Sequence, residues 1–364
     1  MQTFVGSSLS KDAKAAVAEA TKGLTKPNMI LFFSNYDMLK DITGELKAAF
    51  PDVPTIGTCG ISYYDKQAGD NKLVVVGFGS DAKVKVGVLR FLSTAPLYDI
   101  MGLKDAIKEV APGDKDTICL EFCTNDEERL VTTMNVVLSH AKTALVGGTV
   151  FGVSEGKKAL VAVNGELYED ACCFAVIKNT TGKIRTYSEN IYRLSAHSKR
   201  HIATKVNIQT KELVQMDNKP AADVYANELG VSKSQIVDNV LENPLGRILG
   251  DEVFICSQYG MGANGSLINY KRFNENDTVS ILKLQDYQEV NDETRNKIKN
   301  ENPKISFVLS INCIYRHMLF EQKNHLGDFM NDMGSLGKHV GVVGGGEQYK
   351  TQHVNQTMVC AVFE

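Results

Sequence analysis

Apolar and polar positions along the chain follow one arrangement that occurs three times. An apolar strand leads into an amphipathic stretch with helical spacing, and this leads into a second apolar strand that ends in glycines. The first strands are MILFFS (29–34), TICLEFC (117–123) and ISFVLSINC (305–313). The second strands are VPTIGTCG (53–60), ALVGGTVFG (144–152) and HVGVVGGGEQ (339–348). We therefore expect three β-α-β units.

The stretches between the paired strands predict the helices of these units. They extend from about Tyr36 to Phe50, from about Asp126 to Ala141, and over roughly twenty residues after Cys313. Asn35 and Asn125 precede the first two helices, where a side-chain oxygen can cap free backbone N–H groups. A crossover of this length between two strands predicts parallel pairing with a right-handed connection.

A further apolar strand follows each glycine-ended strand. These added strands are LVVVGFG (73–79), ACCFAVI (171–177) and TMVCAVF (357–363). We expect them to pair antiparallel with their units. The chain is therefore predicted to be an α/β protein with mixed sheets, built from repeated β-α-β units with added antiparallel strands.

A different pattern separates the second unit from the third. Strand-like IRTYS (184–188) and ELVQM (212–216) precede two helical segments, PAADVYANELG (220–230) and SKSQIVDNVLE (232–242). The polar segment MDNKP between strand and helix predicts a domain boundary near residue 216. We expect two closely packed domains, 1–215 and 216–364, that share core.

Length and charge narrow the class of protein. The chain has 364 residues, with 40 Lys or Arg against 43 Asp or Glu, so its formal net charge is −3. This balance is too weak and too mixed to predict a nucleic-acid partner. No segment approaches the ~18 consecutive apolar residues of a membrane helix, and the N-terminus lacks a signal-peptide pattern. We expect a cytoplasmic protein that does not bind membranes.

The chain carries no recognisable cofactor or metal motif. No GxGxxG leads into a helix and no GxxxxGK[ST] is present, so we expect no nucleotide cofactor. Eight cysteines without a CxxC spacing are typical of reduced core thiols, and zinc is not expected. His197 and His201 are four residues apart, which can suit a metal on a helix, but the basic stretch around them favours a solvated surface.

Glycines and charged residues cluster at the end of the third unit. Gly345 and Gly346 precede Glu347, and Arg316 begins the helix that follows the neighbouring strand. Ligands usually bind at the carboxyl ends of strands in α/β sheets, where glycines allow close approach. A guanidinium can hold a carboxylate and Glu347 an ammonium group, which together fit an amino acid. Two simpler interpretations stay open: the glycines only form tight turns, or Arg316 and Glu347 pair with each other.

Four more side chains are candidates for the same ligand site. Alternation places His353 and Asn355 on one face of a strand, where they can bind a ligand or satisfy backbone groups of the preceding loop. Cys313 ends the first strand of the third unit, and Cys59 lies near the end of the glycine-bearing strand of the first. Either thiol, or Glu347 as a general base, gives an alternative function: a hydrolase or transferase for a small amino-acid-like substrate.

The order and spacing of several segments resemble the FIST (F-box and intracellular signal transduction) family. The resemblance extends from about residue 29 to the C-terminus and covers both the N-terminal and C-terminal regions of that family. It is carried by MILFFSNYDML, VPTIGTCG, LVGGTVFG with VNGELYEDACCFAVI, ELVQMDNKPAADVYANELG, ENPLGRILGDE, and INCIYRHMLFE with GVVGGGEQYKTQHVNQT.

The resemblance implies a sensory protein in signal transduction that binds a small ligand, amino acids being the usual suggestion. The residues that match the family's C-terminal pattern are Cys313, Arg316, Gly346, Glu347, His353, Asn355 and Thr357. Tyr63 and Tyr64 stand where the family often has an acidic residue in its N-terminal region, which weakens the case for binding by the first unit. No chemoreceptor or kinase segment follows Glu364, so we expect a stand-alone sensor that signals through a separate partner protein.

Overall fold

The computed structural model describes residues 1–64, 67–69, 71–250 and 252–364. Asp251, in the segment ENPLGRILGDE, lies outside the described residues. Among the described helices, none has both the length and the hydrophobicity needed to cross a membrane. The α-helices of the described residues are α1 (Ala13–Ala20), α2 (Leu39–Ala49), α3 (Ile100–Val110), α4 (Glu127–Leu138), α5 (Ala221–Leu229), α6 (Tyr287–Glu301), α7 (Ile314–Gln322) and α8 (Leu326–Gly334).

The strands fall into three units and one insertion. The first unit holds β1 (Thr3–Ser8), β2 (Met29–Ser34), β3 (Thr55–Cys59), β4 (Ser62–Tyr64), β5 (Gln67–Ala68) and β6 (Leu73–Phe78). The second holds β7 (Ala82–Arg90), β8 (Thr117–Cys123), β9 (Ala144–Thr149), β10 (Val161–Val163), β11 (Glu166–Tyr168) and β12 (Ala171–Asn179). The third unit begins with β13 (Ile184–Asn190). The insertion holds β14 (Tyr192–Arg193), β15 (His201–Asn207), β16 (Glu212–Met216), β17 (Lys219–Pro220), β18 (Leu245–Leu249), β19 (Glu252–Cys256), β20 (Gln258–Met261), β21 (Leu267–Asn269), β22 (Thr278–Ile281) and β23 (Lys283–Leu284). The third unit resumes with β24 (Phe307–Cys313), β25 (Lys338–Gly344), β26 (Glu347–Tyr349), β27 (Gln352–Val354) and β28 (Thr357–Phe363).

Three six-stranded sheets carry the three units, and their strand orders correspond position by position. They are β1-β6-β2-β3-β10-β11, β7-β12-β8-β9-β26-β27 and β13-β28-β24-β25-β4-β5. The two strands of each β-α-β unit pair in parallel. The added strand pairs antiparallel with the first strand of its unit. The mixed-sheet α/β architecture predicted from the sequence is therefore confirmed.

Each sheet is completed by a hairpin that belongs to another unit. The β4–β5 hairpin of the first unit pairs with β25 of the third. The β10–β11 hairpin of the second unit pairs with β3 of the first, and the β26–β27 hairpin of the third pairs with β9 of the second. The three exchanges close into a ring, so each unit depends on a neighbour for its outer strands. The boundary near residue 216 stays a prediction, because shared sheets join the two sides of it.

Glycines at the strand ends let the three units approach one another. A Cβ atom added to Gly148 in β9 would lie 2.7 Å from the side chain of Ile311 in β24. A Cβ atom added to Gly60, just after β3, would lie 3.0 Å from the side chain of Val342 in β25. At Gly148 a larger residue would force Ile311 to shift, and at Gly60 it would be tightly packed against Val342, so glycine suits both positions.

The largest hydrophobic core lies between the sheets and joins all three units. Phe33 of the first unit packs edge-to-face against Phe122 of the second, with ring centres 5.3 Å apart. Phe78 of the first unit packs against Phe307 of the third at 6.2 Å. Because aromatic rings bury large apolar areas, these contacts stabilise the ring of units beyond what strand pairing supplies.

Three local predictions were wrong. The third-unit helix is two helices, α7 and α8, because Asn324 between them has a left-handed φ of 54°, which asparagine tolerates. The segment SKSQIVDNVLE forms only the short 3₁₀ turns Lys233–Gln235 and Asp238–Leu241, since Ser, Asp and Asn are weak helix formers. Neither Asn35 nor Asn125 caps its helix with its side chain; the amide of Asn125 donates to Asp170 at 2.8 Å instead.

The close approach at Gly148 can be tested against a glycine that has free space around it. Gly148→Ala should lower the free energy of unfolding by about 1–3 kcal/mol, because the new methyl group overlaps Ile311. Gly44 in α2 has no neighbouring atom near an added Cβ, so Gly44→Ala should raise stability by up to ~1 kcal/mol. Urea denaturation of both variants measures the difference, and equal effects would contradict the packing described here.

Candidate functional site

Arg316 lies where the sequence predicts it, in the first turn of α7 directly after β24. Its side chain is fully buried, with 0% exposure. The guanidinium carbon lies 4.6 Å from the ring centre of Phe320 and 5.3 Å from that of Phe329. Aromatic faces attract a cation at such distances, so these two rings fix the guanidinium in the interior.

The ion-pair partner of Arg316 is Glu189 on β13, and not Glu347. A terminal nitrogen of Arg316 donates to Oε1 of Glu189, and both side chains are buried. Asn291 of α6 donates to the same oxygen at 2.7 Å, and His325 hydrogen-bonds to the amide oxygen of Asn291 at 3.0 Å. The charge of Arg316 is therefore balanced by Glu189, and Asn291 and His325 extend the hydrogen-bond network behind that carboxylate.

Glu347, the acidic residue predicted to face Arg316, lies in β26 and is also fully buried. Its Oε2 accepts a 2.6 Å hydrogen bond from the hydroxyl of Thr357. Burial raises the pKa of Glu347 well above its ordinary value, although the bond from Thr357 and the charge of Arg316 act in the opposite direction. Desolvation therefore disfavours the charged form of this carboxyl group.

Arg316 and Glu347 both carry buried polar atoms without a hydrogen-bond partner in the described part of the chain, although the nearby Cys313 thiol lowers the pKa of the Glu347 carboxyl group. These atoms are Nε and Nη1 of Arg316 and Oε1 of Glu347. Buried polar groups in proteins nearly always have a hydrogen-bond partner, so the atoms mark a place where a further polar group fits. The sequence predicts an opening at this edge of the sheet, whereas the structure buries both side chains completely.

His353 and Asn355 lie together, but on the opposite face from Glu347. His353 pairs with Gln348 across the β26–β27 hairpin, and their side chains hydrogen-bond at 3.1 Å. Alternation along the strand separates this pair from Glu347. Burial lowers the pKa of His353 to about 4, so its ring is neutral. The amide oxygens of Gln348 and Asn355 are also unpartnered among the described residues.

Gly345 and Gly346 make room for atoms of the protein itself. A Cβ atom on Gly346 would lie 2.5 Å from His353 and 2.8 Å from Asn355. The N–H of Gly345 donates to the carbonyl of Thr149 at 2.9 Å, and the N–H of Thr149 donates to the carbonyl of Gly346 at 3.0 Å. These glycines allow the third unit to pair closely with β9; a role in ligand binding stays a prediction.

Both candidate thiols are buried and poorly suited to nucleophilic chemistry. Burial raises the pKa of Cys59 to about 12, and it also raises the pKa of Cys313 above its ordinary value. The Cys59 thiol donates to the carbonyl of Phe151 at 3.4 Å. Reactive cysteines have a lowered pKa and some exposure, so the geometry does not favour the alternative of thiol catalysis.

Two residues near Arg316 were missed by the sequence analysis. Tyr63 reaches this region through the exchanged β4–β5 hairpin, and its hydroxyl hydrogen-bonds to Nδ1 of His317 at 2.7 Å. The first unit therefore contributes a side chain despite its departure from the family pattern. Glu189 follows the buried Tyr187 by two residues on β13, so both side chains lie on the same inward-facing side of the strand. This spacing is a sequence signal for a buried carboxylate. No sequence signal indicated that β4 pairs with the third unit.

His201 is buried, although the sequence favoured a solvated surface for it. It lies in β15, with Nδ1 2.6 Å from Asp217 and Nε2 2.6 Å from Glu228. Burial alone lowers the pKa of His201, but the two carboxylates outweigh it and raise the pKa above its ordinary value. Within the described ranges, no group of three or more His, Cys, Asp or Glu side chains is arranged to hold a metal ion.

Comparison with protein families covers most of the chain. A family model described as the FIST N domain matches residues 28–219, and one described as the FIST C domain matches residues 221–350. The second match includes both Arg316 and Glu347. No curated protein matches the chain.

The buried ion pair can be tested by a double-mutant cycle. Arg316→Met leaves Glu189 charged and without its cation, so the free energy of unfolding should fall by about 3–5 kcal/mol. The double variant Arg316→Met with Glu189→Met should recover most of this loss, as measured by guanidinium denaturation. Arg185→Met, which breaks a partly exposed pair with Glu364, is the control and should lower stability by less than about 1 kcal/mol. Additive losses in the double variant would contradict the pairing.

The two carboxylates that contact His201, Asp217 and Glu228, predict a pH-dependent contribution of its imidazole to stability. Because the folded-state pKa is raised above the ordinary 6.5, the stabilisation is complete below that pH and is lost as pH rises through the raised pKa. His201→Gln should therefore be less stable than the wild type at pH 6 by on the order of 1 kcal/mol. The difference should shrink by pH 9 in urea titrations. A difference that stays constant with pH would show that the imidazole charge is not involved.

Proposed function

We propose that this chain, which belongs to the FIST family, senses an amino acid or a similar small carboxylate. FIST domains are associated with sensory roles in signal transduction, and both FIST regions are present here. We further propose that the ligand binds at Arg316 and Glu347. The cytoplasmic location and the separate signalling partner stay predictions.

The observation that carries the proposal is the set of unsatisfied atoms on Arg316 and Glu347. Two guanidinium nitrogens and one carboxyl oxygen are buried without a hydrogen-bond partner among the described residues. Arg316 lowers the pKa of Glu347 through its charge, although burial outweighs this effect, so the two groups lie within electrostatic reach. A ligand with a carboxylate at one end and an ammonium group at the other supplies the missing acceptors and donors.

Charge balance favours a zwitterion over a simple carboxylate. Glu189 already neutralises Arg316, so a ligand with only a negative charge would find no uncompensated positive charge on Arg316. An amino acid carries no net charge. Its ammonium group would also favour the ionised form of Glu347, which burial disfavours in the free protein.

A ligand can reach this buried site only if part of the surface moves. A cluster of tyrosines, Tyr259, Tyr270 and Tyr315, is partly exposed and lies beside Cys313. The rings of Tyr259 and Tyr270 are 4.5 Å apart, and those of Tyr270 and Tyr315 are 5.5 Å apart. Tyr315 is next to Arg316 in α7, so movement of this tyrosine cluster would both admit the ligand and change the surface that a partner contacts.

A thermal-shift screen with free amino acids tests the proposal. A ligand that binds only the folded state adds about 2.7 kcal/mol of stability when present at roughly 100 times its Kd. This corresponds to a rise of several degrees in Tm. Glu347→Gln should abolish the rise, because the amide cannot ionise against an ammonium group. The variant resembles the neutral form of Glu347 and keeps an acceptor for Thr357, so its fold should be intact.

The matched control is Glu121→Gln. Glu121 in β8 is likewise fully buried, has a raised pKa through burial and carries an unpartnered Oε1 within the described chain. It lies in the second unit, so this variant should keep the response to the ligand. Loss of the response in both variants, or no response of the wild type to any amino acid, would contradict the proposal. Conversion of a stabilising compound to a product of different mass would favour the enzyme alternative.

A further inference from the structure

A cavity of about 280 Å³ lies between the insertion, α4 and the β26–β27 hairpin. Three of its lining side chains are cationic: Arg247 of β18, and Lys271 and Arg272, which follow β21. Glu128 of α4 and His353 of β27 form part of the opposite wall. The cavity thus brings three positive side chains of the insertion against the second and third units.

Lys271 has a buried charge without a carboxylate partner. The residue is 2% exposed, and no ion pair to it is found among the described residues. Its Nζ donates to the carbonyl of His353 at 2.5 Å and lies 5.2 Å from the ring centre of Phe254. Burial lowers the pKa of Lys271, because desolvation disfavours the charged ammonium form. An anion in the cavity would stabilise it.

The two arginines leave further positive charge in the cavity. Nε of Arg247 has no partner in the described part of the chain, and its Nη1 is 3.7 Å from Asp277, which is long for a hydrogen bond. Arg272 forms a 3.0 Å ion pair with Glu128. Burial raises the pKa of Glu128, opposed by the charges of Arg272 and Lys271. Three cationic side chains therefore line the cavity, whereas two carboxylates, Glu128 and Asp277, form ion pairs with them among the described residues.

We propose that this cavity binds a phosphate group, either as free phosphate or on a small phosphorylated metabolite. A guanidinium presents donors in a fixed plane that matches phosphate oxygens, and an ammonium group adds a point charge. The volume is several times the ~30 Å³ that one water molecule occupies in the liquid, so a phosphate and a small organic remainder fit. The site uses neither Arg316 nor Glu347 and stands independently of the proposed amino-acid site.

Lys271 gives the bound anion a connection to the hairpin. Its Nζ holds the backbone of His353, whose ring contacts Gln348 and Asn355. A phosphate that attracts Nζ competes with this carbonyl for the same ammonium donors. A bound phosphate would therefore weaken the hydrogen bond between Lys271 of the insertion and the backbone of β27.

Isothermal titration calorimetry with inorganic phosphate and with glycerol 3-phosphate tests the site. The wild type should bind at least one of these, and binding should weaken at higher NaCl concentration. Arg247→Gln and Lys271→Met should each weaken binding by about tenfold or more, because each removes a charge-assisted hydrogen bond. Arg185→Gln is the matched control: it lines a different cavity and should bind phosphate as the wild type does.

The two ligands distinguish the source of the phosphate. Tighter binding of inorganic phosphate identifies the free anion, and tighter binding of the ester identifies a phosphorylated metabolite. Circular dichroism checks that each variant folds, and Arg247→Gln decides the outcome if Lys271→Met does not fold, since Arg247 is partly exposed. No heat of binding for either ligand, or equal affinity of the wild type and Arg247→Gln, would overturn the proposal.

Discussion

The exchange of hairpins among three units is the constraint on which the rest of the structure depends. Each unit provides a parallel β-α-β pair, but its sheet is completed by the hairpin of a neighbour. The exchange requires strand ends to lie closer than a Cβ atom permits, and glycines such as Gly60 and Gly148 meet that requirement. The same arrangement carries Tyr63 of the first unit to α7 of the third, where it hydrogen-bonds to His317. The candidate site is therefore complete only when the three units are packed together.

The β26–β27 hairpin connects the features that a sensor requires. Its chain belongs to the third unit, its strands pair in the sheet of the second, and the insertion contacts it through Lys271. Glu347 lies on one side of the hairpin and is affected by the charge of Arg316, whereas His353 pairs with Gln348 on the other side. A ligand at either of the two proposed sites would change the forces on this one short element, which contacts the second unit and the insertion. In a closely packed interior such a change shifts the relative positions of neighbouring elements rather than being absorbed locally.

Local features of the fold could be predicted from the sequence, and long-range partners could not. Apolar runs and glycine ends predict each β-α-β unit, because strand and helix periodicity are local properties. The position of Arg316 after β24 follows from the same pattern. Its pairing with Glu189 does not, because the carboxylate lies more than a hundred residues away on β13. His201 was predicted to be solvated because its neighbours in sequence are basic and polar. In the structure its imidazole is buried between two carboxylates that are distant in sequence.

The unsatisfied atoms of Arg316 and Glu347 are proposed to bind a small zwitterionic ligand. The most direct measurement is a high-resolution crystal structure of the protein grown with a stabilising amino acid. We expect density for a ligand whose carboxylate accepts from Nε or Nη1 of Arg316 and whose ammonium group donates to Oε1 of Glu347. Ordered water alone at these atoms, or a direct hydrogen bond between the two side chains, would contradict it.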